Sequence, residues 1–175
     1  MQTREVPPGD ADVRAFLAGH GADVVARRGE LVDATARPAV VTYAADGGIA
    51  GVLTYDVVGT ECEVLTLHAA VQWAGAGTAL VDAVRGIAAR AGCRTLWVLT
   101  TNDNVEGLRF YQRRGFRLSA LRPGAVDESR RTLKPRIPPT GFHGIPLRDE
   151  IELVMPLEGE EGPAAGEPAS TPRTN

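Results

Sequence analysis

The 175-residue chain is 43% hydrophobic and carries a formal charge of −3, which is enough length and apolar content for one domain with a buried core. Four glutamates and one arginine within residues 158–175 account for all of that charge, so the body is neutral and lacks the basic excess that bulk capture of nucleic acid or an anionic membrane needs. Cys62 and Cys93 stand in no metal-ligand spacing, which argues against a metal site or a disulfide scaffold and for buried thiols; with no secretory leader and no apolar run of about 18 residues, a cytoplasmic protein is expected.

Asp10 or Asp12 suits a helix N-cap, and Val13, Phe16 and Leu17 behind it share one face of a short helix. The rest of the first 35 residues is polar text broken by glycines, and that helix is the one element expected there. Two β-rich runs follow, 39–45 and 49–58, joined by Asp46-Gly47-Gly48, a hairpin signal because Asp and Gly tolerate positive φ. A third run, 61–70, completes an antiparallel meander. Residues 76–91 place Leu80, Val84, Ile87 and Ala91 at helical spacing, and Gly92 ends that helix. The nearly continuous apolar run 94–101 reads as a strand covered on both faces. Asn102 or Asp103 can cap a helix over 104–114 that ends before Gly115. A strand over 116–121, a helix within 123–134, a Pro/Gly-rich loop over 135–146 and an alternating last strand over 149–157 follow. From Glu158 onward no core-forming residue occurs, which predicts a domain over 1–157 and a disordered acidic tail over 158–175.

Gly75-Ala76-Gly77 sits between a strand and the first turn of a helix, where bare backbone N–H groups can face an anion such as a pyrophosphate. Two known phosphate loops do not fit: there is no G-x-x-x-x-G-K-[ST], and Leu80 stands where G-x-G-x-x-G needs its third glycine. An antiparallel meander also precedes the loop, whereas a dinucleotide fold begins with its β-turn-α unit.

The stretch Gln72-Trp73-Ala74-Gly75-Ala76-Gly77 does match Q/R-x-x-G-x-G/A and resembles the GNAT superfamily of acyl-CoA-dependent N-acetyltransferases. About 30 residues on, Asn104, Tyr111, Gly115 and Phe116 fit that family's N-x-x-A-x-x-F-Y-x-x-x-G-F, with Gly107 where alanine is usual. The resemblance covers residues 36–157, and the stretch from Arg122 to Leu153 is similar to a bacterial subgroup. It implies an α/β fold with a mixed, mostly antiparallel sheet flanked by helices and splayed to admit acyl-CoA. It also implies acetyl-CoA as co-substrate, a small-molecule amine as acceptor, and the possibility of a homodimer.

The implied reaction is direct attack of a neutral amine on the thioester, and deprotonating an alkylammonium at pH 7 costs about 4 to 5 kcal/mol. A base is therefore expected, and the strand over 61–70 offers Glu63 first and His68 second. Strict alternation puts Glu63 with Leu65 and Leu67 on one side, and Cys62, Val64, Thr66 and His68 on the other. For both there is a structural alternative, a solvated edge charge for Glu63 and a packed imidazole for His68. The resemblance assigns the oxyanion to a backbone N–H at Leu67 and the leaving thiolate's proton to Tyr111. It places the pyrophosphate on the backbone of Gln72, Trp73, Ala74, Gly75, Ala76, Gly77 and Thr78, with Asn104 steadying the pantetheine arm or only capping its helix. Arg113 and Arg114 could reach an adenosine phosphate or simply suit a helix C-terminus. Residues 113–136 hold eight Lys/Arg against two acids, a solvated face or an anionic-acceptor patch, and Arg148-Asp149-Glu150 is a candidate acceptor-side cluster. Other readings are transfer of a different acyl group, acetylation of a protein amine, or a non-catalytic acyl-CoA-binding module.

Overall fold

The structure, a computed structural model, describes residues 1–70 and 74–157; the expected tail over 158–175 lies outside the described residues. Nine strands and four helices follow in chain order: β1 Gln2–Val6, α1 Ala11–Gly19, β2 Val24–Arg27, β3 Glu30–Asp33, β4 Ala39–Tyr43, β5 Ile49–Val58, β6 Glu61–Ala69, α2 Ala76–Arg90, β7 Thr95–Thr101, α3 Val105–Gln112, β8 Arg117–Arg122, α4 Ala125–Thr132 and β9 Glu150–Pro156. Seven strands form one sheet in the order β1-β4-β5-β6-β7-β9-β8, and β2 with β3 forms a separate hairpin. Every neighbouring pair in the large sheet is antiparallel except β6 and β7, which run parallel and are joined by α2. This is the α/β architecture expected from the motifs, a mostly antiparallel mixed sheet with helices on its faces.

The meander is where period-2 patterning puts it, and Asp46 closes its first turn by accepting from Gly48 N–H at 3.0 Å. In α1 the cap is Asp10, whose side chain accepts from Asp12 N–H and Val13 N–H, while Val13 and Leu17 are buried. The N-terminal region holds more than the one helix expected. Gln2–Val6 is an edge strand paired with β4, and β2–β3 turns through Arg28-Gly29, with φ of 49° and 77°. Two successive positive φ values make the tight hairpin turn that matches strand twist, but an arginine in that conformation carries no sequence signal.

The sheet separates two cores. On one face Leu80, Val81, Val84 and Ala88 of α2 pack on Val40, Leu53, Val64, Leu96, Val98 and Leu153, with Tyr111 and Phe116 beside them. On the other, Val13 and Leu17 pack on Val41, Val52 and Leu65, closed by Ala22, Val32 and Ala34. Cys62 and Cys93 are buried free thiols, and burial pushes Cys62 up to about 12.

One irregularity shapes everything downstream. Thr54 pairs with Thr66 but Tyr55 pairs with Val64, so a β-bulge leaves Leu65 without a partner on β5. The extra residue inverts the alternation after it: Cys62 and Val64 face α2, Leu65 joins the α1 core, and Leu67 returns to the α2 side. The strict alternation expected from the sequence is therefore wrong. Glu63 and Leu67 lie on opposite faces, while Glu63 and His68 share the α1 face, where the His68 ring meets that of His20.

How closely α2 approaches the sheet is set by Gly51, since a Cβ there would stand 3.0 Å from the His68 carbonyl oxygen and 3.0 Å from Leu80 Cδ1. Gly51→Ala is expected to destabilise by about 1–3 kcal/mol through overpacking, although alanine suits a strand better. Denaturant unfolding of the two proteins measures this, and an unchanged midpoint would mean that α2 has room to move.

Candidate active site

The parallel ladder of β6 and β7 runs only from Glu61↔Thr95 to Val64↔Val98. Beyond it, Leu65–Ala69 and Leu99–Thr101 continue as strands without pairing to each other, so the sheet forks there. Ala70 N–H bonds the Ala50 carbonyl on the β5 side at 2.8 Å. Backbone groups alternate edges along a strand, which turns the N–H groups of Ala69 and Leu67 toward the fork. The Leu67 side chain points elsewhere, into the α2 core, with Cδ2 3.7 Å from where a Cβ on Gly77 would lie.

The N-terminus of α2 opens beside this fork. Its cap residue, Gly75, has φ 87° and makes no side-chain cap bond, and the first turn holds no acid. Among the described residues no side chain caps the leading N–H groups, which suits an external acceptor. Ala74 and Gly75 are exposed, Ala76 is buried, and Gly77 and Thr78 are half-buried. Gly77 lies against Phe110, where a Cβ would be 3.1 Å from the ring. Gln72 and Trp73, the first two motif positions, lie outside the described residues.

On α3, Tyr111 is 7% exposed, edge-on to Phe110 and Phe116 at 5.2 and 5.3 Å. Burial pushes its phenol well above the usual value, so it keeps its proton and has a hydrogen to donate. Asn104 is the α3 cap: Oδ1 accepts from Gly107 N–H at 3.0 Å, and Nδ2 donates to Thr100 Oγ1 at 2.9 Å. These bonds explain the departure at Gly107, where a Cβ would lie 2.7 Å from Asn104 Cγ. Both ends of the Asn104 amide are thus engaged in bracing the β7–α3 junction.

The two candidate bases fare differently. Glu63 is 5% exposed and accepts from Arg27 Nη2 at 2.8 Å, an ion pair that ties the β2–β3 hairpin to the sheet. Burial raises its carboxyl above the ordinary value and the Arg27 guanidinium opposes the rise. His68 lies beyond the fork point. Burial, then the neighbouring His20 ring at 5.4 Å, lower its pKa, so it is a neutral imidazole at pH 7. His20 is held by Nδ1 against the Phe16 carbonyl oxygen at 2.7 Å.

Several charges that sequence left open hold backbone in place. Arg28 pairs with Glu152 and covers the Trp97 ring at 3.9 Å, and Arg122 pairs with the same Glu152 at 2.9 Å. Arg130 donates to the carbonyls of Ile137, Pro138 and Leu147, and Lys134 donates to that of Val24. Arg148-Asp149-Glu150 does not act as one cluster. Arg148 lies 3.9 Å from Asp127, Asp149 accepts from Gly124 N–H, and Glu150 is buried under the hairpin turn with Arg28 N–H at 3.4 Å. Asp103, unremarked in the sequence apart from capping, is buried and accepts from Thr101 Oγ1 and Phe142 N–H, anchoring the 135–146 loop. Arg113 remains exposed.

A fork in a mixed sheet beside an uncapped glycine-rich helix start defines a class of protein. The model of the acetyltransferase (GNAT) family matches residues 13–116, and the chain belongs to that family. Among curated proteins it is similar to the uncharacterized protein YdhI of Bacillus subtilis (strain 168), 44% identical over 105 residues that cover 60% of this chain and 65% of that one. The chain thus spans just under two thirds of that relative's length. Among solved structures it is similar to an IAA acetyltransferase from Bacillus cereus ATCC 14579, with TM-score 0.69 and 22% identity, covering 89% of this chain and 99% of that one. A GNAT family acetyltransferase from Elizabethkingia anophelis with acetyl-CoA bound gives TM-score 0.62 and 19% identity, covering 89% and 97%. Among the described residues no helix is long and apolar enough to cross a membrane, and no group of His, Cys, Asp and Glu is arranged to hold a metal.

Two substitutions test this geometry. Gly107→Ala should destabilise by about 1–3 kcal/mol against its helix propensity, and adding Asn104→Ala should recover part of the loss because the clashing amide is gone. Arg27→Met leaves Glu63 buried without its partner and should cost about 3 kcal/mol near pH 8. A carboxyl raised by burial is most favourable to the fold below its ordinary value of 4.5, and that contribution is lost as pH rises through its folded value. The Arg27→Met deficit should therefore shrink toward pH 5 and be largely relieved by Glu63→Gln, both read by denaturant unfolding.

Proposed function

We propose that this protein is an N-acetyltransferase that moves the acetyl group of acetyl-CoA to a primary amine on a small molecule by direct attack. The observation that carries the reading is the β6–β7 fork opening beside the uncapped start of α2. Family membership supports it, as does the acetyl-CoA held by a protein of the same fold. An anion fits the α2 N-terminus because its first N–H groups have no side-chain cap and meet no acid. The extended pantetheine arm suits the fork, where it can pair with the strand edge left by β6.

In this mechanism the Leu67 N–H, aimed into the fork, donates to the oxygen that gains charge as the amine attacks. Tyr111 donates a hydrogen bond and then its proton to the departing thiolate; burial ensures that the phenol still holds that proton when the thiolate forms. His68 takes the proton from the amine. It is favoured over Glu63 because its imidazole is neutral and lies beyond the fork point, while the Glu63 carboxylate is engaged by Arg27. A small acceptor is favoured because the α1 face is roofed by the β2–β3 hairpin, whose Arg27 and Arg28 are anchored to Glu63 and Glu152.

The test is release of the CoA thiol from acetyl-CoA across a panel of monoamines, polyamines, aminoglycosides and peptides. Tyr111→Phe should lower kcat about 100-fold or more with little change in the KM for acetyl-CoA. For the wild type, kcat/KM should fall on the acid side of a pKa below 6.5 as His68 takes up a proton, and His68→Gln should lose that limb along with most of its rate. Tight CoA binding without turnover on any amine would replace catalysis with a binding role.

A further inference from the structure

We propose that Arg114, at the C-terminal end of α3, is the cation that recognises the phosphates of the donor; this rests on the acetyl-CoA reading above. Its guanidinium spans from α3 to the first turn of α2. Nη2 donates to Thr78 Oγ1, the plane lies 4.0 Å over the Phe110 ring, and Nη1 makes only a long contact of 3.4 Å to the Phe110 carbonyl oxygen. Nε is buried with no hydrogen-bond partner, and no carboxylate pairs with Arg114 among the described residues.

The placement is electrostatically unfavourable for the protein alone. A helix N-terminus carries partial positive charge and favours anions, yet here a full positive charge is fixed against the third residue of α2, whose first turn has no acid to offset it. Serving the end of α3 does not account for this, since Nη2 passes beyond that helix to Thr78. An anion lying on the α2 N-terminus would relieve the repulsion and meet three kinds of donor: the leading N–H groups, the Arg114 guanidinium, and the Thr78 hydroxyl, which accepts from Arg114 and so has its own hydrogen to give. The motif loop supplies Trp73 and Ala74 and no basic residue, so a cation delivered from α3 fills that place. Phe110 connects the parts, packing on Gly77 with its edge and under Arg114 with its face.

The experiment compares donors with and without phosphates in wild type, Arg114→Gln, and Arg114→Met, which keeps a stem over Phe110. For acetyl-CoA both variants should raise KM at least about tenfold with kcat within about twofold, while kcat/KM for S-acetylpantetheine stays at the wild-type value. Equal losses with both donors, or no loss with either, would overturn the assignment and leave Arg114 a packing residue. Calorimetric titration with CoA and with pantetheine decides the same point without turnover. Selective weakening for CoA supports Arg114 even if the wild type acetylates no amine, a result that would count against the catalytic reading alone. Unchanged CoA affinity would overturn it.

Discussion

The parallel pairing of β6 with β7, abandoned after Val64 and Val98, is the constraint on which the rest of the molecule depends. Parallel neighbours need a crossover, and α2 is that crossover, so its N-terminus lies where β6 has just left the ladder. Among the described residues the fork leaves β6 and β7 backbone groups unpaired with each other, a costly arrangement in a buried sheet unless another molecule can satisfy them. The same crossover exposes a glycine-rich helix start without a cap. Each feature alone would be a local defect, and together they bring the α2 N-terminus close to the β6 edge that carries Leu67.

The bulge at Leu65 makes this possible. Before it, Cys62 and Val64 lock β6 into the core beneath α2; after it, Leu67 returns to that core and His68 turns to the opposite face. The sheet thereby divides its tasks. The α2 and α3 face carries Tyr111, Phe110 and the helix start, the groups that the proposed reaction assigns to the donor. The α1 and hairpin face carries His68 and the ion pairs of Glu63 and Glu152, which hold the hairpin over the sheet. Buried ion pairs contribute little net stability. These fix the hairpin's position with groups that hydrophobic contacts would not orient.

Much of the fold was legible because its signals are local. Asp46-Gly47-Gly48 marks a turn by backbone tolerance, and the α2 stripe of Leu80 and Val84 marks a buried face by periodicity. Tyr111, Gly115 and Phe116 with the glycine loop mark the family. The unread parts have equally physical reasons. β1 is an edge strand in which only Val6 is buried, so no apolar alternation marks it, and β2–β3 depends on an arginine at positive φ. Gly107 costs helix propensity by local rules, and only the Asn104 side chain folded over it accounts for the missing Cβ.

The amino-acid sequence by itself determined the order of the main elements, the family, and the identity of the glycine loop, since each depends on residues near one another in the chain. Tertiary structure decided which faces those residues occupy and which charges are engaged. A single bulge set Glu63 and His68 on one face, an arginine 36 positions away took up the Glu63 carboxylate, and packing of α3 brought Arg114 to Thr78, also 36 positions away. Such pairings follow from strand register and helix packing, which involve contacts between distant segments and leave no pattern in either segment alone.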